Sequence, residues 1–154
     1  MFVLSAVSVS EMPVFSNAVL VRVSLGMSTL SGMLLLAPWA RSGRTGRSMF
    51  ALISSASALD LISGVEKAIV VMAVVAVLVA VGTALVAAAW SRPRLAAVAL
   101  VAPGPILVVA AMIISKASLS LDWGAFAGST AGVIGSICAT MSLLIDSRQR
   151  DLRK

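Results

Sequence analysis

The feature that most constrains this sequence is an uninterrupted apolar run from Ala68 to Trp90. The run contains 23 residues, none of them charged, and most are valine or alanine. As an α-helix it rises about 35 Å, enough to cross the roughly 30 Å hydrocarbon core of a bilayer. The sequence therefore predicts a transmembrane helix at 68–90.

Three further apolar segments have a suitable length for a transmembrane helix, namely 14–38, 95–115 and 124–145. The composition points the same way, with 60% hydrophobic and 12% charged residues, against about 45–50% and about 25% in soluble domains. A chain of 154 residues cannot bury so much apolar surface in an aqueous core. We therefore expect an all-α integral membrane protein whose residues 1–154 form one transmembrane domain, ending in a basic cytoplasmic tail at 146–154.

The segment 49–65 is shorter and more polar than the others, because it contains Asp60 and four serines. At about 100° per residue these polar side chains scatter around the helix axis, whereas a helix lying on the membrane surface gathers them on one face. This pattern favours a fifth span and hence a five-helix bundle. The alternative is four spans plus one short interfacial or re-entrant helix.

The basic residues favour the five-span prediction. Nine of the twelve lysines and arginines lie at 41–47, at 92–94 and at 148–154, each group next to an apolar segment. Five spans place all three groups on one side, as the positive-inside rule requires of cytoplasmic loops. We therefore expect a multi-pass protein of the cell membrane with its N-terminus outside and its C-terminus in the cytoplasm. Topology explains these arginines better than nucleic-acid binding, for which the sequence has no motif.

Small residues recur every four positions in the last predicted span, at Gly124, Gly128, Gly132, Ser136 and Thr140. A shorter series, Ser24, Ser28 and Gly32, occurs in the first span. Such a row lets another helix backbone approach closely, which is a main route to helix association in lipid. The rows predict helix packing, either within this chain or with a partner protein.

Two features within the predicted spans are candidates for a functional site. Arg22 and Asp60 are charges in membrane segments, and such charges commonly mark functional sites. In the five-span arrangement they could form an ion pair between the first two helices. The triplet Pro103, Gly104 and Pro105 interrupts the fourth span, and it predicts either a kink or the broken helix of a transporter site.

Residues typical of catalysis are scarce. The sequence has no histidine, no tyrosine and one cysteine, Cys138, so we expect neither a metal site nor a cofactor. Its serines lack a nucleophile motif and a partner base, which argues against an enzyme. We expect a non-catalytic accessory or assembly subunit of a larger membrane complex, of transport or bioenergetic type. The alternative is a small homo-oligomeric transporter or channel. The abundance of alanine and arginine over lysine is typical of a bacterial protein.

Overall fold

The computed structural model describes residues 17–42, 45–54, 64–116 and 120–152. Within these ranges, four helical segments are long and apolar enough to cross a membrane: Asn17–Leu36, Gly64–Ala89, Pro93–Lys116 and Trp123–Asp151. In the most apolar 18-residue stretch of each segment, only 33% to 44% is buried inside the protein. The rest of this apolar surface faces outward, which agrees with the predicted all-α membrane protein in contact with lipid.

A small β-sheet follows the first helix. Helix α1 (Asn17–Met33) tightens into a 3-10 turn (Leu34–Leu36) and stops before Pro38, whose ring cannot continue a helix. Strands β1 (Pro38–Ser42) and β2 (Thr45–Ser48) form an antiparallel hairpin, and β3 (Ser120–Leu121) pairs with the other edge of β1. The sheet was not predicted, because these short polar strands lack the apolar alternation that marks a half-buried strand.

Five further helices complete the described chain: α2 (Met49–Ser54), α3 (Gly64–Ala89), α4 (Pro93–Leu100), α5 (Pro103–Lys116) and α6 (Trp123–Asp151). Helices α4 and α5 together make one kinked span. The turn between α3 and α4 is a Schellman motif, in which the N–H of Arg92 donates to the carbonyl of Ala87 at 2.8 Å. Ser91 takes the left-handed conformation that this motif requires, with φ 54°.

Two apolar clusters form the interior. The larger one joins Leu35, Trp39 and Met49 to the first half of α3 and to α5. The smaller one consists of four alanines and a leucine from α3, α4 and α6, with alanine side chains that allow close packing of the helices: Ala84, Ala87, Ala96, Leu100 and Ala139.

One end of the bundle, which we call the hairpin end, carries the β-sheet. Arg41 of β1 lies there with its Nε 3.4 Å from an oxygen of Asp122, the residue before α6. Helix α3 also starts at this end, since Val70, near its beginning, packs in the same cluster as Trp39 and Met49. The loop after α1, the start of α3 and the start of α6 therefore lie together.

The opposite end, which we call the basic end, holds the start of α1 and the last turns of α6. Asn17 accepts a hydrogen bond from the hydroxyl of Ser142. Arg94, at the start of α4, forms an ion pair with Asp146 of α6, and Arg150 contacts the same carboxylate oxygen at 3.2 Å.

These contacts add a finding that the predicted topology did not contain. When α4 and α5 are counted as one span, the four long helices and the short helix α2 give the predicted count of five. The five-span prediction placed residues 40–48 and Asp122 on opposite faces of the membrane, whereas the structure brings them into contact. The segment 49–65 thus starts and ends at the hairpin end, and its residues 55–63 lie outside the described residues. Asn17, at the start of α1, contacts Ser142 of α6, so the beginning of the first described helix lies beside the later part of the last one, and the side of the membrane on which each terminus lies stays a prediction. The sequence does not reveal that Arg41 has an acidic partner, Asp122, next to α6.

Candidate functional site

The small-residue row of α6 lies against this chain's own residues. A Cβ atom on Gly124 would collide with the carbonyl oxygen of Pro38, and one on Gly128 would lie 2.8 Å from the ring of Trp39. A Cβ on Gly132 would meet Leu107 of α5 at 3.1 Å. The three glycines therefore serve packing within the bundle, which was one of the two predicted roles, and the face they form is already covered.

The serines of α1 pack against the same helix. The hydroxyl of Ser24 donates to the carbonyl of Gly135 at 2.7 Å, and that of Ser31 donates to the carbonyl of Gly128 at 2.9 Å. Between them, the hydroxyl of Ser28 is buried and has no hydrogen-bond partner within the described residues. These bonds join the second half of α1 to the first half of α6.

The residues of this interface differ in part from the predicted ones. Gly32 was expected in the row, but it is only half-buried and has open space where a Cβ would lie. Ser31 takes its place, and Gly135 was missed on α6. Residues on one face of a helix are separated by three or four positions in alternation. A pattern that selects every fourth residue therefore moves gradually away from that face.

The Pro103-Gly104-Pro105 break is closed by a side chain from α6. The hydroxyl of Ser136 donates to the carbonyl of Leu100 at 3.1 Å and accepts from the N–H of Gly104 at 3.0 Å. In a regular helix these two backbone groups would bond to each other. Ser136 is thus inserted into the hydrogen-bond ladder, and the triplet produces a kink inside one span.

Two apolar grooves flank this kink on the outer surface. One of about 400 Å³ lies between α3 and α5, and one of about 570 Å³ lies between α5 and α6; Pro105 and Val109 line both. Ser136 and Thr140 are the polar residues lining the second groove, and each hydroxyl already donates to a backbone carbonyl. The grooves offer no charged group to bind a polar solute.

Arg22 lies on the outer face of α1. Its side chain is exposed, and within the described residues it makes no ion pair. Its predicted partner Asp60 lies outside the described residues, so the ion pair between them stays a prediction. One turn further, Gly26 is exposed on the same face, with no atom within 4 Å of the position a Cβ would take.

A cleft at the hairpin end was not predicted. It has a volume of about 550 Å³ and is lined by Leu36, Arg41, Arg47, Ala51, Asp122 and Trp123 among others. The carboxylate of Asp122 accepts from the N–H of Trp123 at 2.8 Å and also faces Arg41. The basic cluster at 41–47 was visible in the sequence, but its acidic and aromatic neighbours come from far along the chain.

The candidate metal ligands are dispersed in the part of the chain that the structure describes. No group of three or more histidine, cysteine, aspartate or glutamate side chains could hold a metal there. Cys138 is half-buried and has a free thiol.

Comparison with known proteins identifies no relative, since no protein-family model, curated protein or solved structure matches the chain.

Proposed function

We propose that this protein is a non-catalytic accessory or assembly subunit of a larger complex in a bacterial cell membrane, of transport or bioenergetic type. The observation that carries the proposal is the outer face of α1, where exposed Arg22 is followed one turn later by exposed Gly26. A charge within a membrane-spanning helix is costly and usually meets a complementary group. An adjacent glycine lets a second backbone come close.

The partner that suits this face is a transmembrane helix bearing a carboxylate. Arg22 lies five residues after Asn17, about 7.5 Å along the helix axis. A partner carboxylate at that depth would form bidentate hydrogen bonds with the guanidinium. Leu30 and Met33 continue the same face, with 46% and 65% exposure, and would extend the apolar contact beyond Gly26.

The interior favours a subunit over a self-contained transporter. The break at Gly104 is sealed by Ser136, and the small residues of α1 and α6 pack on each other. Irregular backbone within a membrane forms a substrate site where it lines a polar cavity. The grooves around Pro105 are instead apolar and face outward.

We further propose four membrane crossings with both ends of the chain in the cytoplasm, which is the four-span alternative of the sequence prediction. In the sequence, the loop between α3 and α4 and the segment after residue 145 together contain six basic residues, namely Arg92, Arg94 and four from Arg148 to Lys154. The sequence segments 37–67 and 116–122, which connect the helices on the other side of the bundle, contain five: Arg41, Arg44, Arg47, Lys67 and Lys116. The positive-inside rule then favours the basic end as the cytoplasmic side.

The test is purification of the tagged chain from its own host in a mild detergent, followed by mass spectrometry. The wild-type protein should retain stoichiometric membrane partners. Gly26→Leu should release them while the chain stays inserted and abundant, because the new side chain occupies open space in the isolated bundle. Arg22→Gln should have the same effect through loss of the charge.

Gly82→Leu is the matched control, because Gly82 is also exposed on a membrane-spanning helix with open space around it. It should leave the complex intact. If Gly26→Leu and Arg22→Gln both retain every wild-type partner, or if the wild-type chain purifies as a homo-oligomer only, the proposal is wrong.

A further inference from the structure

We propose that the basic end binds the headgroup of an anionic phospholipid, with the phosphate held by Arg94 and Arg150, which we call the arginine pair. The two side chains converge because both contact the same carboxylate oxygen of Asp146. They lie at the charged ends of two membrane-spanning segments, which is the height of the lipid headgroups. The site does not include Arg22, so the inference does not depend on the proposed partner subunit.

Asp146 occupies only part of the hydrogen-bonding capacity of the arginine pair. Arg94 faces the carboxylate with its Nε atom, and Arg150 contacts the same oxygen with one terminal nitrogen at 3.2 Å. Within the described residues, the two terminal amino groups of Arg94 make no hydrogen bond, and such a fork can bind two phosphate oxygens at once. The side chains of Arg94 and Arg150 are 47% and 57% exposed, so a headgroup can reach both.

The charges at this end leave an excess of positive charge. The arginine pair shares one carboxylate, that of Asp146, so two positive charges and one negative charge give this cluster a net charge of +1. Arg92 and Arg148 are exposed near it and make no ion pair within the described residues, and Asp151 is the other acid there. A net positive surface at headgroup height attracts anionic lipids. We therefore expect a preference for an anionic over a zwitterionic headgroup.

Apolar side chains next to the cluster suit the rest of the lipid. Trp90 lies in the turn before α4 and is 71% exposed, and tryptophan is enriched at this depth because its ring prefers the boundary between acyl chains and headgroups. Leu95 and Val98 of α4 are 51% and 59% exposed. They are three residues apart and share one face of the helix, so an acyl chain can run along them from a headgroup at Arg94.

Native mass spectrometry of the full chain, purified in dodecyl maltoside, tests the assignment with added dioleoyl phosphatidylglycerol or dioleoyl phosphatidylcholine. The wild-type protein should retain the phosphatidylglycerol in preference. Arg94→Gln and Arg150→Gln should each weaken its retention about tenfold, the effect of losing one charge-assisted hydrogen bond. Asp146 keeps one arginine partner in each variant, so both should remain folded.

The matched control is Arg148→Gln, which removes the same charge from the same end of α6. Arg148 is two residues from Arg150, about 200° around the helix, so its loss should not change retention by more than twofold. Equal retention of the two lipids, or a loss with Arg148→Gln as large as with Arg150→Gln, would overturn the proposal. Unchanged retention in both Arg94→Gln and Arg150→Gln would also overturn it. Displacement of the lipid by millimolar glycerol 3-phosphate would assign the arginine pair to a soluble phosphate compound and contradict a lipid site.

Discussion

The Nε atom of Arg41 lies 3.4 Å from a carboxylate oxygen of Asp122, which joins the hairpin after the first membrane-spanning helix to the start of the last one. The adjacent backbone supports this contact, because Ala40 pairs with Leu121 across β1 and β3. Two loops that are connected in this way must lie on the same side of a membrane. The contact holds the start of α6 beside the hairpin that follows α1.

Asp122 should contribute to stability through two contacts, the ion pair with Arg41 and the hydrogen bond to the N–H of Trp123. We expect Asp122→Asn to lower the free energy of unfolding by up to about 1 kcal/mol, since it removes the ion pair with an exposed arginine and the negative charge next to the N-terminus of α6. Thermal unfolding in detergent, followed by circular dichroism, measures the change. Asp151→Asn, at an exposed position in the last turn of α6, is the control and should differ little from wild type. Equal stability of all three proteins would show that the contacts with Asp122 are dispensable.

Ser136 should be needed for the kink between α4 and α5. Its replacement by alanine removes the partner of the Gly104 N–H and of the Leu100 carbonyl, and buried polar groups left without partners cost about 1–3 kcal/mol. Ser147→Ala is the matched control, since that exposed hydroxyl on the same helix bonds only to its own backbone at Leu144. If Ser136→Ala loses no more stability than the control, the Gly104 N–H and the Leu100 carbonyl can form a hydrogen bond with each other without Ser136.

The three serines on α1 should respond differently to the same change. Ser24→Ala and Ser31→Ala remove hydrogen bonds to α6, and each should cost about 0.5–1.5 kcal/mol. Ser28→Ala should instead raise stability, by about 1 kcal/mol, because the Ser28 hydroxyl is buried with no partner among the described residues. Chemical denaturation of the three variants in one detergent makes the comparison. A loss in Ser28→Ala equal to that in Ser24→Ala would reveal a hydrogen bond to the Ser28 hydroxyl.

Substitution by alanine should have opposite effects on stability at two glycines, one in the closely packed part of α6 and one at an open position on α3. Gly124→Ala should destabilise the bundle by several kcal/mol or prevent its accumulation, because the added Cβ collides with the backbone of Pro38. Gly82→Ala should be neutral or stabilising by up to about 1 kcal/mol, since alanine favours the helix and the site is open. Expression level and unfolding temperature report both effects. Similar behaviour of the two variants would show that Gly124 does not lie against the hairpin.

Much of the helical architecture could be predicted from the sequence, because membrane-spanning helices are identified by length and hydropathy alone. The spans expected at 68–90 and 95–115 are seen at Gly64–Ala89 and Pro93–Lys116. The packing role of Gly128 could also be predicted, because small residues recur at every fourth position on both sides of it. These features depend on local sequence, so no knowledge of the fold is needed to find them.

The features that were missed depend on contacts between distant segments. Trp39 follows directly after the apolar segment 14–38, and nothing in the local sequence indicates that it is fully buried and donates its indole N–H to the carbonyl of Leu34 at 2.7 Å. The cleft likewise needs Asp122 and Trp123 to meet the hairpin. Hydropathy describes how each segment partitions into lipid, but it does not specify which loops pair.

Cysteine accessibility in intact cells tests the central claim, that the hairpin and the start of α6 share one side of the membrane. In a Cys138→Ala background, single cysteines replace Thr45, Ser120 and Gln149, all at exposed positions, and a membrane-impermeant maleimide is applied before and after permeabilisation. We expect the cysteines at 45 and 120 to show the same labelling before permeabilisation, both labelled or both protected. The cysteine at 149 should show the opposite labelling. Opposite labelling at 45 and 120 would contradict the structure and restore the five-span arrangement.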